Sequence, residues 1–298
     1  MRFSLIVPTR GRTHELTGLF NSLLSQEIQD FEVILSDQND DDRLVSIVKA
    51  SPLADRLIHI KSGGGASCAR NAGLDCARGE LLGFPDDDCT FPPGVLKQVS
   101  DFFAAHPDYG LLAGSSYADE AGSEVSRFDS QPGEIQQLKI HRQGIEFTTF
   151  IRHSALGDRR YDEHMGVGSR FPWHSDEGPD LTLRLQRAGV RCYYDPAVAI
   201  WHPAKIATYE PSEIDRAYRY ALGTGYFYRK HHYPFWYCAY YFARAGGGAA
   251  LAIVRSHNAK ARFYFARCRG LWKGWRATPV AETSPGADQG DHRFGDQK

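Results

Sequence analysis

The most informative stretch of this chain is Gly79-Glu-Leu-Leu-Gly-Phe-Pro-Asp-Asp-Asp-Cys89. Its apolar run is typical of a buried strand, which would hold the acids that follow at the edge of a sheet. Because three adjacent carboxylates repel one another, Asp86, Asp87 and Asp88 favour a bound cation such as Mg²⁺ or Mn²⁺. The alternative is a solvated acidic turn, which is the better interpretation for an acidic triplet that follows no strand.

Strand and helix patterns alternate around this stretch. The strands are predicted at Phe3–Val7, Phe31–Leu35, Leu57–Ile60, Leu81–Phe84 and Leu111–Ala113. Their alternation with helical patterns predicts an α/β fold with a mostly parallel central sheet and flanking helices. Ligands of such sheets bind beyond the carboxyl ends of the strands. We therefore expect four loops to share one edge, namely residues 8–13, 37–42, 63–70 and 86–88.

The pattern changes after residue 114. Residues 115–145 are polar and are interpreted as an irregular connection, and a strand is predicted at Phe147–Ile151. An amphipathic helix is predicted at Asp180–Ala188. Two short strands then follow at Arg191–Tyr194 and Val198–Trp201.

Charge is distributed unevenly along the chain. The 35 Lys and Arg nearly balance the 36 Asp and Glu, but residues 201–276 contain 13 basic and 3 acidic residues, against 20 and 29 in residues 1–200. The basic part has a helical pattern rich in Tyr, Trp and Arg, which is typical of helices at an anionic membrane surface. The alternative is a helical subdomain that covers the sheet. Nucleic-acid binding is disfavoured, because no recognisable module accompanies the charge.

Features that are missing from the sequence indicate the cellular compartment of the protein. The six cysteines form no Cys-x-x-Cys pair, which predicts reduced thiols in a cytosolic setting. No signal sequence precedes the first strand, and no uncharged apolar run reaches the ~20 residues of a spanning helix. We expect a cytoplasmic protein, with peripheral attachment to the cytoplasmic face of the membrane as the further option. Residues 277–298 are rich in Pro, Gly and Asp and are predicted to be disordered.

Five further residues carry chemistry that suits the same edge of the sheet. Asp37 ends the second strand and can accept a hydrogen bond from a base or ribose, or cap the next helix. Arg70 follows a glycine triplet and can pair with phosphate or stack on a base, or be a surface arginine. Asp176 and Glu177 precede a helix and can supply a general base or cap that helix. His202 is a metal ligand or a structural histidine.

Taken in order, these motifs resemble the family 2 glycosyltransferases over residues 2–205. The segments that carry the resemblance are Ser4-Leu-Ile-Val-Pro-Thr-Arg-Gly-Arg12, Phe31-Glu-Val-Ile-Leu-Ser-Asp37, Ala69-Arg-Asn-Ala-Gly73, Arg78-Gly-Glu-Leu-Leu-Gly-Phe-Pro-Asp-Asp-Asp88 and Glu177-Gly-Pro-Asp-Leu181. The resemblance implies a GT-A fold and inverting transfer of a sugar from a nucleoside-diphosphate sugar, a UDP-sugar first of all. It also implies Mn²⁺ or Mg²⁺ and a saccharide or lipid-linked hydroxyl acceptor in polysaccharide or glycolipid assembly.

The resemblance also assigns roles to residues. Asp86 and Asp88 form the Asp-x-Asp motif, with Asp88 as the direct metal ligand and His202 as a further one. Glu177 takes the position of the catalytic acid, and Asp176 lies beside it. Asp87 is grouped with the binding residues, but the pattern gives it no individual role, and we expect it to be the most replaceable acid of the triplet. Contacts to the nucleotide sugar are implied for Pro8, Thr9, Arg10, Asp37, Arg70, Asp86 and Asp87.

The chain departs from the family pattern at three points. Gln38-Asn-Asp40 stands where Asp-Gly-Ser is frequent, which leaves the base contacts open. The usual Glu-Asp pair appears as Asp176-Glu-Gly178, which leaves open whether Glu177 or Asp176 is the base. The Gln-x-x-Arg-Trp motif of processive synthases is missing, which indicates that a single sugar is added.

This interpretation divides the chain into four parts. Residues 1–114 form the nucleotide-sugar-binding half and residues 115–205 the acceptor-side half of one GT-A domain. Residues 206–276 form a basic aromatic helical extension, and residues 277–298 form the tail. One alternative is a nucleotidyltransferase, which would need a glycine-rich loop with a lysine after the first strand. The other is a catalytically inactive nucleotide-sugar-binding protein, which has no need for both the Asp triplet and the later acids.

Overall fold

The computed structural model describes residues 1–118, 128–204 and 208–280, so the predicted disorder of residues 281–298 lies outside the described residues. The strands that it describes are β1 Phe3–Thr9, β2 Phe31–Asp37, β3 Leu57–Lys61, β4 Leu81–Gly83, β5 Tyr109–Tyr117, β6 Gly133–Glu134, β7 Thr149–Arg152 and β8 Arg191–Trp201. The helices are α1 His14–Leu24, α2 Val45–Ala50, α3 Ala66–Leu74, α4 Val95–Ala105, α5 Ile140–Gln143, α6 His153–Leu156, α7 Glu177–Arg187, α8 Pro211–Lys230, α9 Phe235–Val254 and α10 Asn258–Trp275.

The described strands form one sheet in the order β3-β2-β1-β4-β7-β5-β8-β6. Strands β1 to β4, β5 and β8 run in one direction, whereas β7 and β6 run against their neighbours. The predicted α/β class with a mostly parallel sheet is therefore confirmed. Strands β1 and β2 are buried along their whole length, as expected for parallel strands covered on both faces.

Three details of the sheet differ from the prediction. The strand predicted at Phe147–Ile151 is β7, and it enters the sheet antiparallel between β4 and β5. Strand β5 continues to Tyr117, into the segment interpreted as irregular. The two short strands predicted before His202 are one strand, β8, because a register shift opposite Ala113 and Ser115 lets the pairing continue past Pro196.

Apolar side chains pack on both faces of the sheet, because successive residues of a strand point to opposite sides. Leu5 and Val7 of β1 join the layer that includes helices α1 and α4, whereas Ile6 joins the other layer. That second layer contains buried residues of the C-terminal helices as well as of α7. Its members from these helices include Leu181, Leu185, Tyr226, Phe227, Tyr228 and Tyr237.

The helical interpretation of the C-terminal segment is confirmed, and α8 belongs to the core. Tyr226 and Phe227 are fully buried against the sheet layer. Helix α10 packs on α8 at close range, since a Cβ atom on Gly274 would lie 2.0 Å from the carbonyl oxygen of Leu222. Among the described residues, no helix combines the length and the apolar character that crossing a bilayer requires.

A buried charge network joins α7 to α8. Asp180, with no exposed surface, lies 2.6 Å from Lys230 Nζ, 2.8 Å from His231 Nε2 and 2.7 Å from Arg184 Nε. Burial alone would raise the pKa of Asp180, but the bond to His231 and the charges of Arg184 and Lys230 hold it well below its usual range. The helix that begins at Glu177 is therefore fixed by the C-terminal part of the chain.

Replacing Asp180 by Asn is expected to lower the free energy of unfolding by about 3–5 kcal/mol, because it leaves buried cations without their carboxylate. Urea unfolding at neutral pH measures the loss. Because the pKa of Asp180 is lowered by folding, the difference from wild type is full above about pH 4 and shrinks as the pH falls.

The matched control is Asp101→Asn, which breaks the exposed pair between Lys97 and Asp101 on α4. Its expected cost is below about 0.5 kcal/mol, since exposed pairs contribute little. Equal costs at the two positions would contradict a special role for the buried network.

Candidate active site

A cavity of about 920 Å³ opens at the carboxyl ends of β1, β2, β4 and β8. The cavity therefore lies at the edge of the sheet where the rule for parallel sheets predicts a ligand site. Of the predicted site residues, Thr9 and Asp37 do not line the cavity. Those that line it are Pro8, Arg10, Arg70, Asp86, Asp87, Asp88, Asp176, Glu177 and His202.

Asp86, Asp88 and His202 form a cluster suited to a divalent cation. One ligand atom from each lies within 4.8 Å of the others, and His202 Nε2 is 3.2 Å from Asp88 Oδ1. Although burial opposes it, the hydrogen bond to His202 and the neighbouring Arg12 hold the pKa of Asp88 well below its usual range. Two carboxylates and one imidazole are a donor set that Mn²⁺ or Mg²⁺ accepts.

Asp87 has two partners that the sequence does not reveal. Thr9 Oγ1 donates a hydrogen bond of 2.7 Å to its Oδ2, and Arg12 Nε lies 3.3 Å from its Oδ1. The side chain is 8% exposed, and burial raises its pKa to about 6. The bond between Asp87 and Thr9 thus holds the loop after β4 in place. This argues against Asp87 as the most replaceable acid of the triplet.

Asp37 is fully buried at the end of β2 and organises the loop after it. Its Oδ1 accepts hydrogen bonds from the backbone and side chain of Asn39, while His59 and Lys61 lie 2.9 and 3.0 Å from Oδ2. The N-cap residue of α2 is Leu44, so the alternative that Asp37 caps this helix is wrong. Gln38, the next residue, is the one that reaches the cavity wall.

Arg70 is buried and connects the two sides of the cavity. Its Nη1 lies 3.1 Å from Glu177 Oε1 and its Nη2 lies 3.3 Å from Asp86 Oδ1. The guanidinium also lies over the ring of Tyr161, 5.4 Å from its centre. With 3% of its surface exposed, Arg70 is no surface arginine, and that alternative is wrong.

The start of α3 fixes the position of Arg70. The backbone N–H of Ala66 donates to the carbonyl of Val167 at 2.8 Å. Gly65 has a φ of 96°, and a Cβ atom there would lie 2.5 Å from the carbonyl carbon of Gly168. Only glycine permits this close approach of two backbones. The glycine triplet therefore holds α3 against the loop that precedes α7.

Asp176 and Glu177 lie side by side but in different surroundings. Asp176, at a φ of 67°, bonds to His141 at 2.6 Å, Ser175 at 2.5 Å and Thr224 at 2.7 Å. Despite burial, these partners lower the pKa of Asp176. Asp176 occupies the N-cap position of α7, but its side chain makes no capping hydrogen bond to that helix.

Sequence reasoning missed Glu146, which lines the same cavity. It begins the 3-10 turn Glu146–Thr148 that leads into β7, and its Oε1 accepts a 2.8 Å bond from the N–H of Gly178. Burial and the neighbouring Glu177 raise the pKa of Glu146 to about 8. Because β7 is antiparallel, its first residues lie where the parallel strands end. That reversal is the only signal that could have pointed to Glu146.

The turn at residues 146–148 also contacts the cluster of Asp86, Asp88 and His202. The ring of Phe147 stacks on the ring of His202, with 4.7 Å between the ring centres and 23° between their planes. The cavity therefore brings together the triplet, His202, Arg70 and three acids from two elements. This is an arrangement for binding an anion beside a cation and for moving a proton.

Solved structures with a similar fold are glycosyltransferases of the GT-A type. A mannosyltransferase from Pyrobaculum calidifontis, in complex with GDP-Man and Mn²⁺, matches with a TM-score of 0.60 and 17% identity over 91% of this chain and 87% of that chain. S. aureus TarS, in complex with UDP-GlcNAc, matches with a TM-score of 0.57 and 22% identity over 74% and 65%. At these identities the likeness shows the fold alone.

The chain itself belongs to glycosyl transferase family 2, because the model of that family matches residues 4–166. It is 29% identical over 185 residues to a GalNAc(5)-diNAcBac-PP-undecaprenol beta-1,3-glucosyltransferase of Campylobacter jejuni, which covers 58% of each chain. It is 38% identical over 160 residues to an uncharacterized glycosyltransferase, EpsJ, of Bacillus subtilis, covering 50% of this chain and 45% of that protein. The chain thus spans about half the length of these curated relatives.

Replacing Asp88 by Asn, or His202 by Ala, is expected to weaken Mn²⁺ binding by at least about tenfold, since each change removes a ligand atom. Isothermal titration of Mn²⁺ into each protein measures this. Asp40→Asn, at an exposed acid of the neighbouring loop, is the matched control and is expected to bind like the wild type. Equal affinities in all four proteins would place the ion elsewhere.

Proposed function

We propose that this protein is an inverting, metal-dependent glycosyltransferase that moves a single sugar from a nucleoside-diphosphate sugar to a hydroxyl acceptor. One observation carries the proposal: a single cavity holds the cation cluster around Asp88 on one side and Glu177 on the other, and Arg70 contacts both sides. A single displacement needs these two parts, a charged group at the leaving oxygen and a carboxylate for the proton of the incoming hydroxyl.

The sugar donor is proposed to be a UDP-sugar. Support comes from TarS, whose structure contains UDP-GlcNAc, and the mannosyltransferase with GDP-Man makes a guanosine donor the second choice. In this chain Pro8, Arg10 and Gln38 line the wall on which the nucleotide would lie. Thr9 and Asp37 support that wall from behind through their bonds to Asp87 and Asn39.

The reaction follows from the charges in the cavity. Asp86, Asp88 and His202 would hold a divalent cation, which would neutralise charge on the diphosphate. Arg12, beside the triplet, adds a fixed positive charge on the same side. The acceptor hydroxyl is a weak nucleophile until a carboxylate takes its proton, so the side of the cavity opposite the cation cluster, where Glu146 and Glu177 lie, is proposed as the side of attack. One displacement then inverts the anomeric carbon.

Of the two acids that the sequence offered, Glu177 fits the reacting group better than Asp176. The oxygens of Asp176 already accept bonds from Ser175, Thr224 and His141, and its lowered pKa makes it a weak base. Glu177 has one oxygen bonded to Arg70 and lines the cavity. Asp176 is thus proposed to shape the entrance of α7, and Glu177 to hold Arg70 beside the reacting atoms.

The test of the proposed function is a panel of UDP-glucose, UDP-GlcNAc and GDP-mannose, each with Mn²⁺ or Mg²⁺. At 100 times its dissociation constant, a bound donor should stabilise the fold by about 2.7 kcal/mol, which thermal unfolding detects. Slow release of UDP or GDP should accompany binding, and it distinguishes an enzyme from an inactive binding protein. Asp88→Asn is the control and should lose both effects. A panel without binding or release would overturn the proposal.

The acceptor is proposed to be a saccharide carried by a lipid or a polymer, in polysaccharide or glycolipid assembly. Support comes from the names of two relatives, the undecaprenol-linked glucosyltransferase and the poly(ribitol-phosphate) beta-N-acetylglucosaminyltransferase TarS of Staphylococcus aureus. A lipid-linked acceptor would place the protein at the cytoplasmic face of a membrane. The surface of the last two helices suits that location.

Helices α9 and α10 expose an apolar and basic surface. Phe235 and Trp236 are 67% and 62% exposed, and Trp272 is 47% exposed. A groove of about 580 Å³ between the helices is lined by aromatic side chains, including Phe242 and Phe265. Residues 235–276 contain eight Lys or Arg and no Asp or Glu. Aromatic rings beside unopposed cations suit the headgroup region of an anionic bilayer, which is the partner we propose for this surface.

The double change Trp236→Ser with Trp272→Ser is expected to weaken binding to vesicles of phosphatidylglycerol and phosphatidylcholine by about tenfold or more, because it removes two interfacial anchors. Cosedimentation measures binding, and pure phosphatidylcholine vesicles should bind far less of the wild type. Leu138→Ser, at an exposed leucine outside these helices, is the matched control. Equal binding to both kinds of vesicle, or none at low salt, would contradict the proposal.

A further inference from the structure

The helix that carries Glu177 lacks a second acid at its next position, which is Gly178. The structure fills that place from another element. A Cβ atom on Gly178 would lie 2.4 Å from Cγ and 2.6 Å from Cδ of Glu146. The carboxyl group of Glu146 therefore occupies the volume that a side chain at position 178 would need.

Glu146 is held there by a directed bond. Its Oε1 accepts the N–H of Gly178 at 2.8 Å, in the first turn of α7. The side chain also lines the cavity. The carboxyl group is thus fixed by a backbone donor and lies at the cavity wall, where a ligand can reach it.

The charges around Glu146 suit a proton acceptor. Glu177 on α7 and Arg70 on α3 face it, and the hydroxyl of Tyr161 interacts with it from the loop before α7. Burial and the like charge of Glu177 raise the pKa of Glu146 to about 8, and Arg70 acts in the opposite direction. A base works best when its pKa lies near the pH of the reaction. Asp176, with its lowered pKa, does not meet this condition.

We propose that Glu146 is the catalytic base of this site, and that Glu177 is a positioning residue that orients Arg70. The inference rests on the proposed function and names the residue that carries its proton. It extends the site from α7 to the turn before β7, which no family motif marks.

The step balances without a further reactant. The acceptor oxygen forms a bond to the anomeric carbon while the bond from that carbon to the diphosphate oxygen breaks, and its electron pair leaves with the diphosphate. The hydroxyl proton passes to Oε2 of Glu146, which later releases it to solvent. Glu177 keeps its bond to Arg70 throughout and takes no proton.

Replacing Glu146 by Gln tests the assignment with little change of shape. The amide oxygen of Gln still accepts the bond from Gly178, so α7 keeps its support, but the side chain no longer takes a proton. We expect kcat for release of UDP or GDP, with the best donor of the panel, to fall by about 100-fold, a typical contribution of a general base. The dissociation constant of the donor should change less than threefold. A kcat within threefold of wild type would overturn the assignment.

Moving the carboxylate to a neighbouring residue tests whether Glu146 acts in catalysis or only supports α7. In Glu146→Ala the atoms that crowd position 178 are gone, so Gly178→Asp can be added to it. The kcat of the double variant should be at least about tenfold higher than the kcat of Glu146→Ala, because a positioned carboxylate is restored. Gly178→Asp alone should lose activity, since its side chain collides with Glu146. No recovery, with donor affinity intact, would make Glu146 a support of α7 and overturn the proposal.

A measurement without substrate keeps this proposal separate from the proposed function. Carbon-13 NMR of the glutamate carboxyl groups should show one that titrates near pH 8 in the wild type, is missing in Glu146→Gln and moves to lower pH in Glu177→Gln. If no donor of the panel reacts, the proposed function fails, and this titration still decides whether Glu146 is a poised base. If donors react and no carboxyl group titrates above pH 6, the assignment fails alone.

Discussion

The buried guanidinium of Arg70 is the contact on which the site depends. It bonds to Asp86 from one half of the sheet and to Glu177 from the other, residues that lie 16 and 107 positions away in the chain. A buried cation costs several kcal/mol unless carboxylates meet it in good geometry, so both acids are held at fixed places. The close backbone contact at Gly65 and Gly168 holds α3 against the loop before α7 and so keeps the arginine in position.

The other side of the cavity depends on the end of the chain. Helix α7 is tied to α8 by the bonds of Asp180 to Lys230 and His231, and Thr224 of α8 bonds to Asp176. The acids at the start of α7 therefore owe their positions to residues beyond the part that matches the family model, which ends at residue 166. The helical segment that resembles an appendage in the sequence is part of the structure that forms the site.

Local patterns predicted those parts of the fold and site that local forces determine. The first four strands, the triplet at the end of β4 and His202 at the end of β8 follow from apolar runs and from the rule for parallel sheets. The antiparallel entry of β7, the partners of Asp37 and the location of Glu146 depend on contacts between distant segments. No periodicity records them, since the same polar residues would suit a solvated loop. Asp87 illustrates the difference, because burial by Thr9 and Arg12 is invisible in an acidic triplet.

The three-residue turn at 146–148 has a mechanical consequence. Phe147 is stacked on the imidazole of His202, while the residue before it reaches α7, so one short turn touches both the cation cluster and the helix that carries Glu177. The ring that stacks on the imidazole and the carboxyl group that bonds to Gly178 belong to adjacent residues. A substitution at Phe147 would therefore disturb both sides of the cavity, because the same turn contacts His202 and Gly178.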